Sequence, residues 1–96
     1  MKQNEVLEIL KQEKPLLQKK FGVEEIALFG SYARGDQNPE SDVDVLVKLH
    51  ETKFKALAGL LIYLEEKLHR KVDLVSKGPH LSERFFKMIN KDILYA

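Results

Sequence analysis

The chain has 96 residues, 16 Lys and Arg against 15 Asp and Glu, a formal net charge of +1, 44% hydrophobic residues and no cysteine. This length is that of one domain with a modest core, and the absence of cysteine excludes a disulfide framework and thiolate chemistry. The near-neutral balance gives no electrostatic case for nucleic acid or an anionic membrane, and no stretch approaches the ~18 apolar residues of a membrane span or the apolar core of a signal peptide, so a cytoplasmic protein is expected.

Asn4 to Phe21 places Val6, Ile9, Leu10, Leu17 and Phe21 on one stripe with Lys and Glu opposite, the pattern of an amphipathic helix. Pro15 lacks an amide donor and disfavours helical geometry at Lys14, so a kink or a split into two short helices is expected there. Gly22 suits a C-terminal cap. Val23 to Phe29 reads as a first strand, Ser31 to Gly35 as a turn or short helix, and Asp36-Gln37-Asn38-Pro39-Glu40 as a polar loop. A second strand covers Asp42 to Leu49. Thr52 is placed to cap a long helix running to about His69. Val72 to Ser76 forms a third strand, Gly78-Pro79 a break, Leu81 to Asn90 a last helix and Ile93 to Ala96 a tail. This order predicts a single α/β domain over residues 1–96, a small mixed β-sheet flanked by helices. The apolar residues of Phe54 to Leu64 cover more than one helix face, so that helix is divided between core and interface readings.

Chemistry concentrates where the first strand ends and the second begins. Residues two apart on a strand share a face, so Asp42 and Asp44 present their carboxylates together while Val43, Val45 and Val47 face the other way. Like charges so placed repel, and a cation between them would relieve the repulsion. Mg²⁺ takes oxygen ligands of this kind and keeps water and phosphate oxygens for the rest. Gly30 and Ser31, ten residues before Asp42, offer close backbone approach, turn amides and a hydroxyl to phosphate oxygens. Arg34 could fork onto a phosphate. Asp73 is a lone acid in the apolar strand Lys71-Val72-Asp73-Leu74-Val75. His50, His69 and His80 lack zinc-ligand spacing.

The pattern Gly30-Ser31-x10-Asp42-x-Asp44 resembles the signature of the DNA polymerase beta-like nucleotidyltransferase superfamily. Its longer form, Phe29-Gly-Ser-Tyr-Ala-Arg-Gly-Asp36 with Ser41-Asp-Val-Asp44, is similar to the minimal nucleotidyltransferases (MNT), many of which are antitoxins of HEPN toxins. The similarity runs from Phe21-Gly22-Val23 to Lys71-Val72-Asp73-Leu74-Val75. It implies a nucleotidyltransferase catalytic core with Asp42, Asp44 and Asp73 as the catalytic and metal-binding carboxylates, two Mg²⁺ ions, and ATP held by Gly30, Ser31 and Arg34. It further implies transfer of AMP to a tyrosine of a HEPN toxin, since the chain offers little beyond the catalytic core to bind an acceptor. A binding-only antitoxin, or a small-molecule nucleotidyltransferase completed by a partner chain, is the alternative reading, and a homo-oligomer is compatible with each.

Overall fold

The computed structural model describes residues 1–96 as α1 (Gln3–Phe21), β1 (Val23–Phe29), α2 (Gly30–Arg34), β2 (Val43–Leu49), α3 (Phe54–Leu68), β3 (Val72–Ser76), α4 (Glu83–Asn90) and β4 (Leu94–Tyr95). The strands form one mixed sheet in the order β3-β2-β1-β4. β1 and β2, joined through α2 and the polar loop that follows it, pair antiparallel. β2 and β3 run parallel because α3 carries the chain back to the starting end of the sheet. The expected fold class, a small mixed sheet flanked by helices, is therefore the one observed. No helix is long and apolar enough to cross a membrane.

Strand alternation divides the apolar residues between two faces. Ile26, Leu28, Val43, Val45 and Val47 point to one face, where they meet Val6, Leu10 and Leu17 of α1 and Leu60, Leu64 and Leu68 of α3, all fully buried. Each such side chain contributes about 1.5–3 kcal/mol relative to exposure. The opposite face carries a smaller cluster, in which Ala27, Phe29 and Leu46 are covered by Ile89 of α4.

Several local expectations are corrected. α1 is one uninterrupted helix through Pro15. Proline lies on its exposed side, where water can satisfy the carbonyl left without an amide partner, while Leu10 and Leu17 anchor both halves in the core. Thr52 does not cap α3, because the cap position is Lys53, which makes no capping side-chain bond, and the exposed first turn is left to solvent. The helix ends, as expected, at His69, which takes a left-handed conformation with φ 52°. α4 begins two residues later than expected, since Ser82 Oγ accepts a 3.1 Å hydrogen bond from the Phe85 amide and fixes the start. The tail is a strand rather than a loose end, with Leu94 and Tyr95 pairing antiparallel to Leu28 and Ala27.

The apolar residues of α3 divide between a buried stripe and an exposed side. Leu60, Leu64 and Leu68 form its buried stripe, whereas Phe54 is 86% and Ile62 59% exposed.

Candidate active site

The site lies at the junction of β1, α2 and β2, and strand register assembles it. Phe29 is paired with Asp44 across β1 and β2, and Asp44 with Asp73 across β2 and β3, so the end of β1 and two acidic strand residues lie in one row. Asp42 immediately precedes β2 and is exposed, as is Asp73, whereas Asp44 is partly buried.

Gly30 completes the row. Its φ is +71°, and a Cβ at this position would lie 2.0 Å from Asp44 Oδ2. Glycine is thus required by conformation and by the carboxylate packed against its backbone. α2 is held in place from below, with Tyr32 1% and Ala33 8% exposed, and Gln3 Nε2 donates a 2.6 Å hydrogen bond to the Ala33 carbonyl. Gly30 and Ser31 are therefore presented on an anchored turn. The Phe29 ring, beneath the row, packs edge-on against Phe85 at 5.8 Å and ties the site to α4.

Gly30, Ser31, Arg34 and Asp44 line one side of a cleft of about 310 Å³, and Met88, Ile89 and Asp92 line the other, with Phe29 between them. Arg34 Nε donates a 3.1 Å hydrogen bond to Asp36 Oδ2, and both side chains are about half exposed. Its terminal guanidinium nitrogens make no hydrogen bond to the protein and remain available to a ligand. Asp42 opens toward a separate polar cleft of about 470 Å³ that also holds Ser41, His69, Arg70 and Lys71.

The Asp44 carboxyl is perturbed by its surroundings. Partial burial, then the charges of Asp73 and Asp42, push the Asp44 carboxyl up from 3.8 to about 6, and a hydrogen bond to Asp73 favours its protonated form. Arg34 opposes the shift. A cation beside Asp44 would reverse it by stabilising the ionised form, so this donor set fits a hard divalent ion such as Mg²⁺. No three acidic or histidine side chains make a ready-made metal cage. A Mg²⁺ ion here would take its remaining ligands from water and phosphate oxygens, as this ion commonly does.

Of the six site residues expected from the sequence, Gly30, Ser31, Arg34 and Asp44 line one cleft, Asp73 is the register partner of Asp44, and Asp42 sits at the edge toward the second cleft. Sequence reasoning did not anticipate Met88, Ile89 and Asp92 as the facing wall. The only local signal was Asp92 itself, an acid between the apolar Ile89 and Ile93, because what brings this segment to Gly30 is the return of β4 to β1.

Residues 4–95 match the family model described as a nucleotidyltransferase domain. A Methanocaldococcus jannaschii protein named as a candidate protein adenylyltransferase is 41% identical over 96 residues, covering 97% of this chain and 96% of its own length. The Thermococcus cleftensis protein named protein adenylyltransferase MntA is 39% identical over 93 residues, covering 96% and 93% respectively. Among solved structures, a candidate minimal nucleotidyltransferase is similar with a TM-score of 0.74 at 28% identity, over 98% of this chain and 95% of that one. A toxin-antitoxin crystal structure with AMP-PNP is similar at TM-score 0.68 and 25% identity, over 99% of this chain and 72% of that one.

Proposed function

The chain belongs to the nucleotidyltransferase domain family, and from that premise we propose that it is a Mg²⁺-dependent protein adenylyltransferase that moves AMP from ATP to a tyrosine of a HEPN-type toxin and thereby acts as its antitoxin. One observation carries the reading: Asp44 is in register with Asp73 on one side and packs against Gly30 on the other, so phosphate-binding turn and carboxylates share one site. The name of the Thermococcus relative and the AMP-PNP in a similar toxin-antitoxin structure support the choice of the adenylyl group and of a toxin as partner.

In this reading residues 1–96 act as a single nucleotidyltransferase domain. The Gly30 backbone lets the triphosphate approach closely, the Ser31 amide and hydroxyl donate to its oxygens, and Arg34 neutralises charge at the same end. Asp42, Asp44 and Asp73 would hold the Mg²⁺ ions, which would supply charge neutralisation for the attacking and leaving oxygens. The acceptor hydroxyl oxygen forms a bond to the α-phosphorus as the bond to pyrophosphate breaks, and Asp73, the exposed carboxylate of the row, receives the hydroxyl proton. Little covalent chemistry is asked of the protein, and most of the rate comes from position and charge.

The test is the mass of the partner after co-expression. A partner carrying one or more additions of ~329 Da, the mass of a transferred AMP unit, is the expected product of nucleotidyl transfer. Asp42→Asn combined with Asp44→Asn removes two charges from the site but none of the buried apolar core, so this variant should fold and reduce transfer by about 10³-fold or more. An unmodified partner that is still neutralised by the double variant overturns the enzymatic reading and leaves an antitoxin that acts by binding alone.

A further inference from the structure

The wall of the cleft contributed by α4 and its following turn is not used by phosphate binding or by the carboxylate row, and it holds an acid. Asp92 lines the same cleft as Gly30, Ser31, Arg34 and Asp44. Its carboxylate makes no hydrogen bond and no ion pair with the protein, although the residue is partly buried. The position is firmly held, because Ile89 is buried three residues before it and Leu94 is paired with Leu28 two residues after it, and the Asp92 amide bonds the Ile89 carbonyl at 3.1 Å.

An ionised carboxylate only accepts hydrogen bonds, and phosphate oxygens only accept them too, so Asp92 would repel the triphosphate that the opposite wall suits. A nucleotide whose α-phosphate lies at Asp44 carries its ribose next in line, and the ribose hydroxyls are donors. We propose that Asp92 is the ribose-recognition residue of the cleft, accepting hydrogen bonds from the ribose hydroxyls and selecting ribonucleoside over deoxyribonucleoside triphosphates, an assignment that rests on the nucleotidyltransferase reading above. Met88, 62% exposed beside it, supplies an adaptable apolar surface for the base.

Calorimetric titration of the purified chain with ATP and with 2′,3′-dideoxy-ATP, each with Mg²⁺, tests this without relying on turnover. The wild type should bind ATP about tenfold or more tightly than the dideoxy nucleotide, the worth of a charge-assisted hydrogen bond. Asp92→Ala should weaken ATP alone and bring the two affinities within about twofold. Asp92→Asn, which preserves size and one carbonyl acceptor, should fall between and carries the comparison if the alanine variant folds poorly. Equal binding of both nucleotides by the wild type, or equal weakening of both by either variant, overturns the assignment while leaving the nucleotide site standing. Failure of the wild type to bind either one overturns the nucleotide site itself and this assignment with it.

Discussion

The two faces of the sheet are made from the same strands but stabilised very differently. Against α1 and α3 the strands contribute to a cluster of sixteen buried residues, whereas the α4 face has a cluster of four, so most of the hydrophobic stabilisation lies on the first face. The second face carries what the first could not accommodate: Asp44 partly buried beside Asp73, and an open cleft between α2 and the end of α4. Clustered carboxylates cost stability in the absence of a cation, and one face can bear that cost because the other is closely packed. The difference shows how a small α/β chain keeps a cluster of carboxylates that opposes its own folding.

Truncating one side chain on each face measures this directly. Leu64 is fully buried in the larger cluster, where surrounding side chains are locked and collapse into the void is limited. Leu64→Ala should therefore destabilise toward the upper end of about 2–5 kcal/mol, a large share of the ~5–15 kcal/mol typical of a domain. Ile89 is 6% exposed in a cluster whose neighbours, Phe85 and Phe86, are only half buried and can shift. Ile89→Ala should fall toward the lower end of that range. Urea unfolding of both variants decides the matter, and equal losses would mean that the α4 face is as tightly packed as the other.

The first face was largely legible in the sequence and the second only in part. Val43, Val45 and Val47 alternate with Asp42 and Asp44, and a period of two in a strand is enough to separate core from candidate site before any fold is known. The glycine before Ser31 was legible as a point of close approach, though its neighbour, the Asp44 carboxylate, emerges only from the pairing of β1 with β2. The wall formed by Met88, Ile89 and Asp92 depends on β4, a strand of two residues with no pattern long enough to show a period. Pro15 and Thr52 misled for different reasons: Pro15 sits on the water-facing side of α1, where a lost amide bond is tolerated, and Thr52 lies one residue outside the Lys53 cap position of a solvent-exposed first turn.

A glycine pair separates strain from site geometry. Gly30 and Gly35 flank α2 and both have positive φ, +71° and +81°, so an alanine at either should cost about 1–2 kcal/mol in backbone strain. They differ in surroundings. An added Cβ at Gly35 meets nothing within 4 Å, whereas at Gly30 it would lie 2.0 Å from Asp44 Oδ2 and 3.2 Å from Asp44 Cβ. The Asp44 carboxylate can rotate away but its Cβ, 3.2 Å from the added atom, must also give by a few tenths of an ångström, so Gly30→Ala should be at least as destabilised as Gly35→Ala. Only Gly30→Ala should lose the rise in melting temperature produced by Mg²⁺ and ATP. Loss of that rise in both variants would show that the turn as a whole, rather than the contact with Asp44, forms the site.

The smallest effect is the most specific to the site face, and its sign can be worked out. The Asp44 carboxyl is raised from 3.8 to about 6, first by burial and then by Asp73 and Asp42, so between these values the folded chain holds a proton that the unfolded chain releases. Stability therefore falls as pH rises through this window, and the cost is fully present above about pH 6 and absent below about pH 4. Asp44→Asn has no such titration, so in metal-free buffer its stability relative to the wild type should grow by about 1 kcal/mol from pH 4 to pH 7, a modest figure because the carboxylate is only partly buried. Contributions from acids remote from Asp44 are common to both proteins and cancel in the difference. Saturating Mg²⁺ and ATP should then reverse the order at pH 7, since a cation stabilises the ionised wild type by linkage and has lost a ligand in the variant. Urea unfolding at the two pH values, with and without Mg²⁺ and ATP, gives all four comparisons. A difference that stays constant with pH would place the Asp44 proton outside this window, and a wild type that gains nothing from Mg²⁺ and ATP would remove the cation from the carboxylate row.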